Sequence, residues 1–174
     1  MVDLLNLLQE QQASGFRDVA GARASVTLPL SDRLVSRLVA QSLPPSAPIS
    51  DIDLRAGNAN RFSVRVRLTR PALLPPITVN LAIDRQPVLP SSPILTLRLL
   101  STGLLSFAGA AARFFNVLPP GIRMDGELIV VDLRTLLEQR QLAEYLNYLE
   151  HLEVTTEEGR FIVTVRGRLP AQAT

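Results

Sequence analysis

The chain has 174 residues, of which 47% are hydrophobic, and it contains no cysteine. This length fits a single domain, at about 100–200 residues per domain, and the apolar fraction suffices for a sizeable core. The lack of cysteine excludes a disulfide scaffold. All the basic residues are arginine and the formal net charge is only +2, whereas nucleic-acid-binding domains usually show a stronger basic excess. We therefore expect no nucleic-acid partner.

The first residues predict an N-terminal amphipathic helix within residues 1–15, followed by one α+β domain over residues 16–170. Leucine pairs in residues 2–13 alternate with single polar residues that form one polar edge. Such a helix either docks on the domain, or contacts a second copy or a membrane. No basic region of a signal peptide follows Met1, so a native N-terminus predicts a cytoplasmic location.

An extended segment and a capped helix come next. Residues 17–30 predict an extended segment, and Ser31 and Asp32 have the positions of an N-cap and of a first-turn carboxylate. The helix that follows ends before Pro44-Pro45. Its apolar stripe consists of Leu34, Val35, Leu38, Val39 and Leu43, and we expect Asp32, Arg33, Ser36, Arg37 and Gln41 on the opposite face.

Alternating apolar and polar residues predict half-buried antiparallel strands in the middle of the chain. Proline-rich links at 71–76 and 87–93 bound these strands, because proline cannot donate to the interior of a sheet. The predicted strands are residues 49–55, 62–68, 77–84 and 94–100, with a turn at residues 57–60.

The stretch from Leu99 to Ala112 contains no charged residue. When it is extended to Leu118, its apolar residues recur at three- and four-residue steps, which predicts a helix. A helix so apolar must be enclosed, and this one is too short and too interrupted to span a bilayer. We expect a curved, mostly antiparallel sheet to wrap around it.

The last third of the chain predicts two hairpins and a helical segment between them. Asp125-Gly126 between extended residues is a signal for a two-residue hairpin turn. Asp132 would cap a leucine-rich segment at 133–149, whose stripe changes phase near Arg140-Gln141, so we expect a kink or two short helices. The final hairpin turns at residues 157–159.

Two strands of the chain are alike in sequence. Residues 61–67 and 160–166 are identical at five of seven positions. Each follows a strand, a capped helix and another strand, which predicts pseudo-repeats at 17–70 and 120–168. The alternative is that strands rich in arginine and valine resemble one another by composition.

The residue inventory excludes several kinds of chemistry. Without lysine there is no P-loop and no Schiff base, and one histidine without cysteine makes no zinc site. We expect no enzyme activity, no metal and no cofactor, and we interpret His151 as a solvated side chain. The remaining enzymatic alternative is a hydrolase with a carboxylate pair, Asp51 with Asp53 or Asp125 with Glu127.

Arginines cluster on and around the predicted strand at 62–68, with no acidic residue between Leu54 and Ile83. Guanidinium groups at alternating strand positions form a flat cationic strip suited to phosphate, such as anionic lipid headgroups. The alternative is a solvated face of the sheet. The strip consists of Arg55, Arg61, Arg65, Arg67 and Arg70.

The order of these elements resembles the tubular lipid-binding (TULIP) superfamily, the relatives of bactericidal/permeability-increasing protein and of SMP modules. The residues that carry the likeness are Ser25 to Leu34, Ile49 to Leu68, Ile77 to Asp84 and Leu104 to Leu118, and the likeness of pattern covers about residues 17–168. Members hold acyl chains in a groove between helix and sheet and have no catalytic residues. The leucine-rich segment 133–149 departs from the simple tube.

The resemblance implies a groove for a lipid or another hydrophobic molecule. The alternative is a structural or assembly module with a dry core, which forms a homodimer through residues 2–13 and 133–149. A peripheral membrane contact is a further expected partner. By the likeness, the groove would be lined by Leu34, Leu38, Phe62, Val64, Val66, Leu68, Val79, Leu81, Leu104, Phe107, Phe114 and Phe115.

Overall fold

The structure, a computed structural model, describes residues 21–43, 47, 49–69, 75–100 and 120–168. In chain order its elements are β1 (Arg23–Ser31), α1 (Asp32–Ser42), β2 (Ile49–Ala56), β3 (Arg61–Leu68), β4 (Ile77–Arg85), β5 (Ile94–Leu99), β6 (Ile122–Asp125), β7 (Leu128–Asp132), α2 (Leu133–Glu138), a 3-10 helix (Ala143–Tyr148), β8 (Leu149–Glu157) and β9 (Arg160–Arg168). The helices expected at 2–13 and 104–118 lie outside the described residues.

The strands form two antiparallel sheets. One has three strands in the order β1-β9-β8, and the other has six in the order β2-β3-β4-β5-β7-β6. The predicted α+β class with a mostly antiparallel sheet is confirmed. Along a strand, every second side chain points to the same face, and in β3 and β4 the apolar residues occupy one face.

The inner face of the six-stranded sheet carries most of the core. Leu54 of β2 lies opposite Val64 of β3, which in turn lies opposite Val79 of β4. In the same way, Leu97 of β5 lies opposite Ile129 of β7. The buried cluster consists of Ile52, Leu54, Ala56, Phe62, Val66, Val79, Leu81, Ile129 and Phe161.

The three-stranded sheet also has one apolar and one polar face. Val26 of β1 lies opposite Val165 of β9, and Leu28 lies opposite Val163. On the polar face the hydroxyls of Thr27 and Thr164 are 3.3 Å apart. Val26 and Leu28 remain 48% and 45% exposed, so the apolar face is only partly covered near β1.

Side chains of the loops bond the two sheets to each other. The Gln86 side-chain amide after β4 donates to the Val154 carbonyl at 2.6 Å and accepts from the Val154 N–H at 2.9 Å. The Asn60 side chain accepts from the N–H of buried Thr156 at 3.2 Å. Residues outside the strands therefore fix the end of β8 against the six-stranded sheet.

The turns in the last third of the chain lie where the sequence predicts them, except for one hairpin loop that is shifted by one residue. Asp125 pairs with Leu128, so the hairpin loop is Gly126-Glu127, and only Gly126 of these has a positive φ, 60°. The expected loop at Asp125-Gly126 is wrong by one residue, because glycine at the first central position suits a type II′ turn. The two short helices are confirmed: α2 ends at Glu138, and Gln141 with φ 58° separates it from the 3-10 helix.

The two predicted pseudo-repeats contain elements in a similar order. A strand, a capped helix and two further strands make up β1-α1-β2-β3, and β7-α2-β8-β9 repeats this order with the 3-10 helix inserted. Asp132 caps α2 as Ser31 caps α1, accepting from Arg134 and Thr135 N–H groups. The duplication itself stays a prediction.

Candidate functional site

An apolar cleft of about 170 Å³ lies between α1 and the inner face of the six-stranded sheet. Among the described residues that line it, Ser42 alone has a polar side chain. The cleft therefore offers dispersion contacts and the exclusion of water, and no reactive group. Its lining consists of Val39, Ser42, Leu43, Ile52, Leu54, Phe62, Val64, Val66, Val79, Leu81, Leu97, Ile122, Ile129 and Val131.

Two polar side chains of α1 fix how the helix lies on the sheet. Asp32 Oδ1 accepts a hydrogen bond from the Ala56 N–H at 3.0 Å, and Ser36 Oγ accepts from the Leu54 N–H at 2.8 Å. Both N–H groups belong to β2, an edge strand of the sheet. Asp32 and Ser36 therefore face β2, and our expectation that they lie on the outer face of the helix is wrong.

The orientation of α1 on the sheet decides which of its apolar residues reach the core. Val35 and Val39 pack against the core, because they lie on the same helical face as Asp32 and Ser36. Leu34 and Leu38 are 39% and 49% exposed and do not line the cleft. The hydrogen bonds to β2 turn them away from this cleft, and their place in the groove predicted against residues 104–118 stays a prediction.

The other predicted lining residues have three different locations. Leu68 packs against the buried cluster near the end of β3 but does not line the cleft. Leu104, Phe107, Phe114 and Phe115 lie outside the described residues. Five of the predicted residues line this cleft: Phe62, Val64, Val66, Val79 and Leu81.

Sequence reasoning missed lining residues on four strands and on α1. Alternation along β2 could have identified Ile52 and Leu54. β7 reads Ile129-Val130-Val131, so its apolar residues do not show which face is inward. The omitted residues are Val39, Leu43, Ile52, Leu54, Leu97, Ile122, Ile129 and Val131.

The predicted arginine strip lies on the outer face of the sheet, opposite the cleft. β3 alternates, so Arg61, Arg65 and Arg67 point away from the side that carries Phe62 and Val64. Arg55 of β2 is on the outer face as well, and Arg70 lies outside the described residues. The strip therefore does not border the cleft.

Carboxylates from the neighbouring strand interrupt this strip. Asp51 lies opposite Arg67 and Asp53 lies opposite Arg65, and Arg55 Nε donates to Asp53 Oδ2 at 3.0 Å. The sequence shows no acid between Leu54 and Ile83, but β2 pairs beside β3 and brings two acids next to the arginines. The outer face is thus a surface of mixed charge.

Groups that could support catalysis or metal binding are few in the part of the chain that the structure describes. Asp51 and Asp53 lie opposite arginines, and His151 Nε2 is 3.6 Å from Glu153 Oε2 on the polar face of the three-stranded sheet. Across the described ranges, no three histidine or acidic residues are grouped so that they could hold a metal ion.

No family model, no curated protein and no solved structure matches this chain. Among the described helices, none is both long and apolar enough to cross a bilayer. The geometry of the cleft and the charges around it therefore indicate what the protein can bind.

Proposed function

We propose that the protein binds a hydrophobic ligand, such as the acyl chain of a lipid, in the cleft between α1 and the six-stranded sheet, without catalysis. The apolar lining of this cleft carries the proposal. Apolar cavities of ~150 Å³ stay dry and hold molecules of the size of benzene. A cleft of about 170 Å³ thus accommodates a short apolar group.

The size of the cleft bounds the affinity that it supplies. Burying one methylene group contributes ~0.8 kcal/mol, so an apolar group of about five carbons contributes ~4 kcal/mol. That corresponds to a dissociation constant of ~1 mM. A ligand that binds more tightly must also contact residues outside the cleft.

We also propose that the sheet curves around the apolar segment at 99–118, as the resemblance to the TULIP superfamily implies. The described residues on either side support this arrangement. Leu100 follows β5, with its N–H bonded to the Asn80 carbonyl, and Gly121 precedes β6, with its carbonyl bonded to the Asp132 N–H. The chain thus leaves and rejoins the same six-stranded sheet that carries the cleft.

Filling the cleft from its rim tests ligand binding. Ser42 lines the cleft and is exposed, so Ser42→Phe inserts a ring without removing a buried residue. We expect the affinity for a fluorescent fatty acid to fall at least about tenfold, because the ring occupies the ligand's volume. Gln41→Phe, on the same helix outside the lining, is the matched control.

Native mass spectrometry of protein purified from its own cells gives the complementary test. A stoichiometric hydrophobe released by organic extraction supports the proposal. Repeatedly empty protein, together with no saturable binding of fatty acids, contradicts it.

A second candidate function is self-association, with a dry cleft. It is favoured by the exposed apolar side chains of β1, Val26 and Leu28, and by exposed Leu142, Tyr145 and Tyr148 in the segment at 133–149. Light scattering over a dilution series tests it. A dimer that dissociates on Leu28→Thr, but not on Thr27→Ser on the polar face, supports this function, and a monomer at every concentration contradicts it.

A further inference from the structure

A second, more polar cleft of about 450 Å³ lies beside the apolar one. Leu43 and Ile52 line both clefts and form the boundary between them. The second cleft lies between α1 and the beginning of β2, and its polar side chains come from both elements. An amphiphilic molecule that crosses this boundary would have its two ends in chemically different surroundings.

The α1 side of the second cleft supplies hydrogen-bond donors. Arg37 has a guanidinium group that is exposed and has no ion-pair partner within the described ranges. Ser36 Oγ already accepts from the Leu54 N–H at 2.8 Å, and its O–H can donate to a second partner. Guanidinium and hydroxyl groups together suit a phosphate or a carboxylate.

The β2 side of the same cleft supplies acceptors. Ser50 Oγ donates its proton to the Arg67 carbonyl at 3.2 Å, which leaves its lone pairs to accept. Asp51 belongs to an edge strand and also lines this cleft, and its exposed carboxylate lies opposite Arg67 on the outer face of the sheet. These groups suit an ammonium or a hydroxyl group.

We propose that this second cleft binds the polar head of the ligand whose apolar chain enters the first cleft. The head carries an anionic group, held by Arg37 and Ser36, next to a hydrogen-bond donor, held by Asp51 and Ser50. This inference rests on the proposed function. It supplies the contacts that the small apolar cleft lacks, and it defines the ligand class as amphiphiles with a phosphate or carboxylate beside an ammonium or hydroxyl.

The test compares soluble probes with the full chain in calorimetric titrations, below the concentration at which the probes form micelles. The probes are lysophosphatidylethanolamine, lysophosphatidylcholine, a fatty alcohol of the same chain length, and phosphoethanolamine without a chain. The choline head has no N–H donor, and the alcohol has no anionic group. The variants are Arg37→Gln and Asp51→Asn, with Arg33→Gln on the same helix as the matched control.

We expect the unsubstituted protein to bind the ethanolamine lysolipid more tightly than the alcohol. Arg37→Gln should weaken that lysolipid about tenfold and leave the alcohol unchanged, whereas Arg33→Gln changes neither. Asp51→Asn should remove the preference for the ethanolamine over the choline head.

Equal affinity for the lysolipid and the alcohol overturns the inference, as does an Arg37→Gln variant that weakens both equally or neither. Phosphoethanolamine that binds as tightly as the lysolipid also overturns it, since the head would then bind as a free molecule. In these cases the proposed function is still supported if the fatty alcohol binds and Ser42→Phe blocks that binding. Failure of every probe overturns both proposals.

Discussion

The ring of Phe62 contacts that of Phe161 edge to face, with centroids 5.4 Å apart and 71° between the ring planes. Phe62 belongs to the six-stranded sheet and Phe161 to the three-stranded sheet, and both lie in one buried cluster. The pair therefore joins the apolar faces of the two sheets. The two residues also hold equivalent positions in the similar segments 61–67 and 160–166.

We predict that Phe161→Ala lowers the free energy of unfolding by ~3–5 kcal/mol, since both the transfer and the cavity contributions are lost. Combined with Phe62→Ala, it should show a coupling of ~0.5–1.5 kcal/mol, as measured for aromatic pairs in this geometry. Urea denaturation of the two single variants and the double variant measures both. Phe161→Leu is the control and should lose less. Strictly additive losses would contradict the contact.

The Gln86 amide should be a strong point of attachment between the sheets. Gln86→Ala removes both partners of the Val154 backbone, in a partly buried place, and should cost ~1–3 kcal/mol of stability. Hydrogen exchange at the Val154 amide should accelerate as well. Gln139→Ala removes one exposed hydrogen bond, to the Pro120 carbonyl, and is the control. Equal losses in the two variants would show that Gln86 has no special role.

The orientation of α1 on the sheet predicts that Ser36 contributes more to stability than Gln41 on the same helix. Ser36→Ala leaves the partly buried Leu54 N–H without its acceptor, which should cost ~1–3 kcal/mol and accelerate exchange of that amide. Gln41→Ala, on the exposed side, should change stability by less than about 0.5 kcal/mol. Unchanged exchange at Leu54 in the Ser36→Ala variant would contradict the assigned orientation of the helix.

Two glycines allow the stability cost of a left-handed backbone conformation to be measured separately from the cost of steric overlap. Gly121 has φ +96°, and a Cβ there would lie 3.1 Å from both the Asp132 carbonyl oxygen and Thr135 Cβ. Gly159 has φ +74° with nothing within 4 Å. Gly159→Ala should cost ~1–2 kcal/mol for the left-handed conformation, and Gly121→Ala a further ~1–3 kcal/mol for overlap. Thermal or urea unfolding measures both, and equal losses would refute the crowding.

The strands and their inward residues were largely predictable from the sequence, because alternation is a local property. Phe62, Val64 and Val66 share one face in any sheet that uses β3, so their orientation toward the core follows from the sequence. The orientation of α1 was not predictable in the same way. Leu34 and Leu38 are as apolar as Val35 and Val39, and bonds from Ser36 and Asp32 to a strand eighteen to twenty-four residues away decide between them.

The charge of the outer face depends equally on distant pairing. Arg65 and Arg67 form a cationic strip along the sequence, but the register places Asp53 and Asp51 opposite them. Such cross-strand pairs contribute about 0.2–1 kcal/mol each. Which acid lies opposite which arginine follows from the hairpin at residues 57–60, because the register is unbroken from Ala56–Phe62 to Asp51–Arg67. Composition does not give this register.

The hydrogen bonds from β2 to α1 have a consequence for how the protein behaves at high concentration. An edge strand with free N–H groups is a template on which strands of other molecules add, and such addition leads to aggregates and fibrils. The Leu54 and Ala56 N–H groups are already occupied by Ser36 and Asp32. A foreign strand must first displace α1, so the same two side chains that shape the cleft also protect this edge from polymerisation.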